Sequence, residues 1–296
     1  MAMFEFSEDS AYHVDNKLVK LWTKNSLEEM NHKNSDKFYV VDGRERIGKS
    51  TWTIQQACYI DKKMRDLKVF LSRICFTVDE FDHACKHVKN GVVIFDEAFR
   101  GLSSRSALSK TNKRLISTLM EMGQNNNIVF LVLPSFFMLD IYPAMLRSNG
   151  LFNIYEDKKT RKRTWRGYSF KDKNKIYKIG MKRGWDFPFT TNFKGRFYDN
   201  RNHTKFPGGM EFYKAYEKKK IEVLKEARKE EPEGDKLEQR WKNQNDNFVR
   251  GIYEDFLHTH KKVAEWCKKQ KIDKSQSQIS QTLAPKPLIT VKNHNS

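Results

Sequence analysis

Two short strings hold the residues best suited to chemistry. In Gly43-Arg44-Glu45-Arg46-Ile47-Gly48-Lys49-Ser50, glycines bracket a tight loop, and a lysine and a hydroxyl follow the second of them. Glycine adopts positive φ without steric cost, so a loop of this pattern can turn successive backbone N–H groups inward and wrap a phosphate chain. A helix beginning where the loop ends aims the positive end of its dipole at the same anion. Lys49 then reaches the terminal phosphates, and the Ser50 hydroxyl is a ligand for Mg²⁺. Gly43, Arg44, Glu45, Arg46, Ile47, Gly48, Lys49, Ser50 and Thr51 are therefore the expected phosphate-binding residues. The second string, Val92-Val93-Ile94-Phe95-Asp96-Glu97, is an apolar run ending in adjacent carboxylates. Asp96 is the expected partner of Ser50 at the metal, holding it through water. Glu97 is the expected group that orients and activates an attacking water. Either string alone occurs by chance. Both together, in this order, predict ATP and Mg²⁺ as bound groups and phosphoanhydride hydrolysis as the chemistry.

These side chains need strands and helices to position them. Residues 37–42 are a β-branched and aromatic run leading straight into the loop, and 51–63 read as the helix that follows. Residues 68–74 look like a second strand. Thr77 and Glu80 form a capping box, which predicts a helix over 77–86. The continuous apolar runs at 91–96 and 127–134 have strand length without alternation, the pattern of strands covered on both faces. Further helices are expected over 16–29, 109–122 and 138–147, the last accommodating Pro143 in its first turn or at a kink. The alternation across 37–155 predicts an α/β, RecA-like P-loop core with a mostly parallel sheet, extended by a β-hairpin built from 151–155 and 164–170. Residues 171–207 have no clear period, 210–230 read as a charged helix, and 236–284 as a small all-α, helix-turn-helix-like module. The expected division is 1–36 as an N-terminal extension, 37–207 as the core with its basic hairpin, 208–235 as helix and linker, 236–284 as the helical module and 285–296 as a tail.

Two further residues are candidates for catalysis. Ser135 closes the 127–134 run, where it either senses the terminal phosphate or is an ordinary turn serine beside Pro134. Arg147 is a candidate for stabilising transition-state charge on a neighbouring subunit, with Arg100 and Arg105 competing for that role.

The string DEAFRGLSSRS, then a helix, then NIVFLVLPSFFMLDIYPAMLRSNGLFNIY, resembles the HerA/FtsK-like branch of P-loop ATPases. Within it, the zonula-occludens-toxin-like and viral genome-packaging ATPases are the nearest in pattern. The resemblance spans residue 37 to about residue 170 and implies that Asp96, Glu97, Ser135 and Arg147 stand at that family's acidic-strand, sensor and arginine positions. Many of its members carry a glutamine where Ser135 stands here. The resemblance also implies a homo-oligomer, often a hexameric ring, that moves DNA, and a viral or mobile-element origin.

Composition adds a partner. The chain has 296 residues, with 56 Lys and Arg against 37 Asp and Glu, a formal net charge of +19. Such a charge points to a polyanion, because basic residues displace condensed counterions from nucleic-acid phosphates. DNA, in duplex form, is the expected partner, and a membrane surface ranks second. No run approaches the roughly 18 apolar residues of a spanning helix. The acidic N-terminus lacks the features of a secretory signal. Cys58, Cys75, Cys85 and Cys267 are too widely spaced for a disulfide framework or a zinc site, so reduced cysteines in a cytoplasmic protein (host cytoplasm, if viral) are expected. From Lys158 to Arg183 there are twelve Lys or Arg residues and one acid, Asp172. Lys158, Lys159, Arg161, Lys162, Arg163 and Arg166 are the expected phosphate contacts there. The interleaved Trp165, Tyr168, Phe170, Tyr177 and Trp185 either stack on bases or pack inward. Gln276 and Gln278, on the last helix of the 236–284 module, suit a recognition helix, unless that module is a bundle for subunit contacts. A DNA-translocating motor accounts for most of these features. A DNA-bound ATP switch, such as a helicase loader or partition factor, is the alternative. A small-molecule kinase is third, because it leaves the charge unexplained.

Overall fold

The computed structural model describes residues 2–7, 10–96, 110–157, 160, 162–198 and 205–230. The chain divides into two compact units, Met1–Glu226 and Ala227–Ser296. Of the second, only residues 227–230, the end of a helix, are described, so the expected 236–284 module lies outside the described residues.

The first unit opens with an antiparallel hairpin, β1 (Ala2–Ser7) and β2 (Ser10–Val14), then α1 (Asn16–Lys24) and α2 (Leu27–His32). The alternating region follows: β3 (Lys37–Asp42), α3 (Lys49–Ile60), α4 (Leu67–Arg73), β4 (Ile74–Cys75), α5 (Val78–His87), β5 (Val92–Phe95), α6 (Lys110–Glu121), β6 (Ile128–Leu133) and β7 (Gly150–Glu156). It ends with β8 (Arg163–Ser169), α7 (Phe170–Lys182), β9 (Lys194–Arg196) and α8 (Gly209–Glu230). Among the described residues, seven strands form the main sheet in the order β4-β5-β6-β3-β7-β8-β9. Pairing is parallel from β4 through β7 and antiparallel from β7 to β9. This is the mostly parallel α/β architecture, with a hairpin extension, that the strand–helix alternation predicts.

Alternation along each strand sets the layers. Phe38, Val40, Val93, Phe95, Val129, Leu131 and Leu133 face one side and pack with Phe81 of α5, Leu115 and Leu119 of α6, and Ile176 of α7. Tyr39, Val41, Val92, Ile94, Ile128, Phe130 and Val132 face the other, against Trp22 of α1, Trp52, Ile54 and Ala57 of α3, and Phe212 and Tyr216 of α8. Burial on both faces is why these strands read as unbroken apolar runs.

The N-terminal segment is part of this core. Tyr12 donates to the Gln55 carbonyl at 2.7 Å, and the Trp22 indole donates to Gln56 Oε1 at 3.0 Å. The strand expected at 68–74 is instead helix α4. Asp66 caps it by accepting from the Val69 N–H, and Phe70 and Arg73, three residues apart, point inward together, leaving only Ile74 and Cys75 extended. Helix α7 lies in the stretch without a clear period. Its buried face is Lys173, Ile176, Tyr177 and Gly180, the i, i+3, i+4, i+7 pattern of an amphipathic helix with a lysine breaking the apolar stripe. Among the described residues, no helix is long and apolar enough to cross a membrane.

Candidate nucleotide site

The loop between β3 and α3 leaves the carboxyl edge of the sheet at its centre, the edge where open α/β sheets bind ligands. Gly43, Arg46 and Gly48 have φ of 149°, 59° and 92°, so the backbone turns sharply through the loop, the kind of turn in which successive N–H groups can form a cradle. A Cβ on Gly43 would lie 2.2 Å from the Ile154 carbonyl oxygen of β7. Only glycine fits there. Gly48 caps α3 in the left-handed region, and its carbonyl accepts from the Trp52 N–H at 2.9 Å. The Lys49 ammonium bends back over the loop and donates to the carbonyls of Gly43 (2.7 Å) and Arg44 (2.8 Å).

Asp96 directly follows β5 and is buried; its N–H donates to the Cys75 carbonyl at 2.9 Å. Ser50 stands in the first turn of α3. The hydroxyl of Tyr216, from α8, donates to Asp96 Oδ2 at 2.6 Å, and the Ser50 side chain lies near the same phenol. The two expected metal residues thus lie near one phenol. Burial, then the Asp96 carboxylate, raises the Tyr216 pKa well above its ordinary value, so the phenol stays a neutral donor. Serine and carboxylate oxygens are the hard donors that Mg²⁺ takes. Together with the cradle, they fit a Mg·nucleotide.

A third side chain belongs to neither motif. Asp42, the last residue of β3, accepts from the Phe136 N–H beyond β6 at 3.1 Å and from Asn153 Nδ2 of β7 at 2.9 Å. Burial raises its pKa to about 6, against the opposing pull of those two bonds and of the Lys49 charge. The clue in the sequence is an acid closing an apolar strand just before the loop. For Tyr216, the clue is Phe212 and Tyr216 at i, i+4 within an otherwise charged helix.

The other expected residues divide. β6 lies between β3 and β5 with Leu133 level with Asp42, so Ser135 is delivered to the loop edge of the sheet. Arg147, expected to act on a neighbouring subunit, lies away from the loop of its own chain. Its Nε donates to the Leu119 carbonyl at 2.6 Å and its Nη2 pairs with Asp36, which precedes β3. That is the opposite end of a six-residue strand, about 20 Å from the loop at ~3.3 Å per residue. The turn carrying Arg147 leads into the start of a parallel strand, and so is held at the amino edge.

Arg163, expected on DNA, lies against the loop. A Cβ on Gly48 would sit 3.0 Å from Arg163 Nη1 and 3.2 Å from the ring of Phe197. Arg166 stacks over the Tyr155 ring, 3.8 Å from its centroid, and Lys162 is exposed. Trp165, Tyr168 and Tyr177 are buried in the core, so they do not stack on bases. Lys173 is buried too: it donates to the carbonyls of Ala144 (2.7 Å) and Met145 (3.0 Å) at the end of the 142–147 turn. Glu97, Lys158, Lys159, Arg161, Gln276 and Gln278 lie outside the described residues.

No family model and no curated protein matches this chain. Solved structures that it resembles include the N-terminal domain of zonular occludens toxin from Neisseria meningitidis, at 16% identity and a TM-score of 0.34, covering 46% of this chain and 84% of that one. The genome packaging NTPase B204 from Sulfolobus turreted icosahedral virus 2, in complex with ATP-gammaS, aligns at 14% identity and a TM-score of 0.32, covering 46% of this chain and 92% of that one. B204, described as the DNA-packaging ATPase from Sulfolobus turreted icosahedral virus, aligns at 13% identity and a TM-score of 0.30, covering 43% and 80%.

Proposed function

We propose that this protein is an ATPase that couples hydrolysis of Mg·ATP to work on DNA, as a translocation or packaging motor assembled from copies of itself. The observation carrying the nucleotide reading is the loop itself: positive φ at Gly43, Arg46 and Gly48, Lys49 folded over it, and buried Asp96, hydrogen-bonded to Tyr216, beside it. In this reading the loop N–H groups and the start of α3 hold the phosphates, and Lys49 and Arg163 supply positive charge to them. Ser50 and Asp96 hold Mg²⁺, which when bound draws charge from the phosphate oxygens. Glu97 orients the attacking water, and Ser135 is near enough to the loop edge to register the terminal phosphate.

The DNA half rests on charge. The chain carries a net +19. Lys171, Lys175, Lys178, Lys182 and Arg183 are exposed along α7, beside exposed Phe170, Ile179, Met181 and Trp185. Basic residues suit phosphates and exposed aromatics suit bases. A kinase acting on a small molecule has no use for that face.

The test is phosphate release by the full chain with Mg·ATP, alone and with duplex or single-stranded DNA, over a salt series. The expected result is turnover that DNA stimulates, that fades as salt rises, and that Lys49→Ala abolishes. Turnover surviving Lys49→Ala would remove the loop from the chemistry. Turnover indifferent to DNA at low salt would rule out the motor. Slow, DNA-dependent turnover without movement along DNA would select the switch.

A further inference from the structure

Tyr216 is held in place from several sides. Its ring packs against Phe76 and Phe206, with centroids 5.7 and 5.9 Å apart. One turn earlier on α8, Phe212 packs edge-on against Phe6 and Phe70 at 5.2 and 5.0 Å. One turn later, Lys219 donates to the carbonyls of Leu71 (3.0 Å) and Ile74 (2.6 Å) and pairs with Glu80 at 3.0 Å. The phenol is 3% exposed, and its hydroxyl donates to Asp96, with Ser50 nearby.

The chemistry of that position is specific. A serine that gives an oxygen lone pair to a cation must send its own proton elsewhere, to an acceptor on the side away from the cation. A carboxylate that holds a cation through water works best when its other oxygen is fixed by a donor. A phenol is both acceptor and donor, and Tyr216 already donates to Asp96. Phenylalanine would fill the same space and do neither.

We propose that Tyr216 is a positioning residue for the Mg²⁺ site: its hydroxyl takes the Ser50 proton as a hydrogen bond and donates its own to Asp96, turning both oxygens toward the cation. Given a Mg·nucleotide at the loop, as proposed above, α8 then belongs to the nucleotide site although it follows β3 in sequence by more than a hundred residues. The contrary arrangement, in which the phenol stands where the cation must sit and blocks it, makes the opposite prediction.

The experiment is equilibrium titration of the full chain with a fluorescent ATP analogue, once with Mg²⁺ and once with EDTA, for wild type and Tyr216→Phe. The variant keeps the ring, and thermal melting checks its fold. With EDTA the two proteins are expected to bind equally. With Mg²⁺ the variant is expected to bind about tenfold more weakly, the scale of one hydrogen bond to a charged group. An equal loss under both conditions would make Tyr216 merely structural and overturn the proposal. Unchanged or tighter binding with Mg²⁺ would overturn it too, and tighter binding would identify a blocking group. Failure of wild type to bind under either condition would instead refute the nucleotide reading.

Discussion

Asp42 is where the loop between β3 and α3, β6 and β7 meet, and it makes that edge of the sheet sensitive to pH. Its carboxyl rises from an ordinary 3.8 to about 6 in the folded chain because it is buried. The native state therefore holds a proton that the unfolded state has lost between those values. Stability from this group is complete below about pH 4, declines as pH climbs to about 6, and by pH 7 has fallen by about 3 kcal/mol. Asp42→Asn cannot titrate. Denaturant unfolding at pH 4.5 and pH 7 is expected to show the wild type losing ground to Asp42→Asn at the higher pH; a constant difference would contradict the assignment. Arg163 allows a second test. Because it lies on the Gly48 side of the loop, Arg163→Ala is expected to weaken nucleotide binding about five- to tenfold while leaving DNA affinity nearly unchanged. The reverse pattern in paired titrations would return Arg163 to the DNA face. The loop and Asp96 are legible because each is written within one local string. Asp42 and Tyr216 are not, because their roles come from partners far along the chain: Phe136 and Asn153 for the first, Asp96 for the second.

Among the elements, the loop between β3 and α3 is shaped by β7 as much as by its own glycines. Gly43→Ala meets both a φ of 149° and the Ile154 carbonyl at 2.2 Å. A loss of about 3 kcal/mol or more is expected. Gly184 has a φ of 76° with nothing within 4 Å of a Cβ, so Gly184→Ala is expected to cost only about 1 kcal/mol of strain. Unfolding curves for the two variants compare the two effects; equal losses would mean that β7 does not press on the loop. Strands buried on both faces are legible as apolar runs, and the Thr77–Glu80 capping box marks α5, where Thr77 accepts from the Glu80 N–H at 3.2 Å. Two elements depart from their sequence pattern for different reasons. In α4 the β-branched and aromatic content of 68–74 suggests a strand, but the Asp66 cap fixes a helix. In α7, Lys173 occupies a core position because its ammonium satisfies the Ala144 and Met145 carbonyls, and burial draws its pKa down to about 8. A charge in the apolar stripe hides the helical period.

At the scale of the whole molecule, the excess of positive charge is the feature that the nucleotide site alone does not explain. Two lysines on the outward face of α7 test it. The double variant Lys175→Ala/Lys178→Ala is expected to weaken DNA binding and to flatten the dependence of log Kd on log salt by about 2, at roughly 0.9 for each phosphate left without its lysine. Its ATP affinity should stay as in the wild type, since α7 lies against the sheet face opposite α3. An unaltered salt slope would move the DNA-binding face elsewhere. Charge is readable from composition, but which lysines face outward is not. That depends on the pitch of α7 and on which of its sides the sheet covers. The central claim, that the loop between β3 and α3 binds a Mg·nucleoside triphosphate, is tested most directly by isothermal titration of the full chain with Mg·ATPγS. Saturable binding at one nucleotide per chain, abolished in Lys49→Ala, is the predicted result. No binding by the wild type, or binding that Lys49→Ala leaves intact, would contradict it.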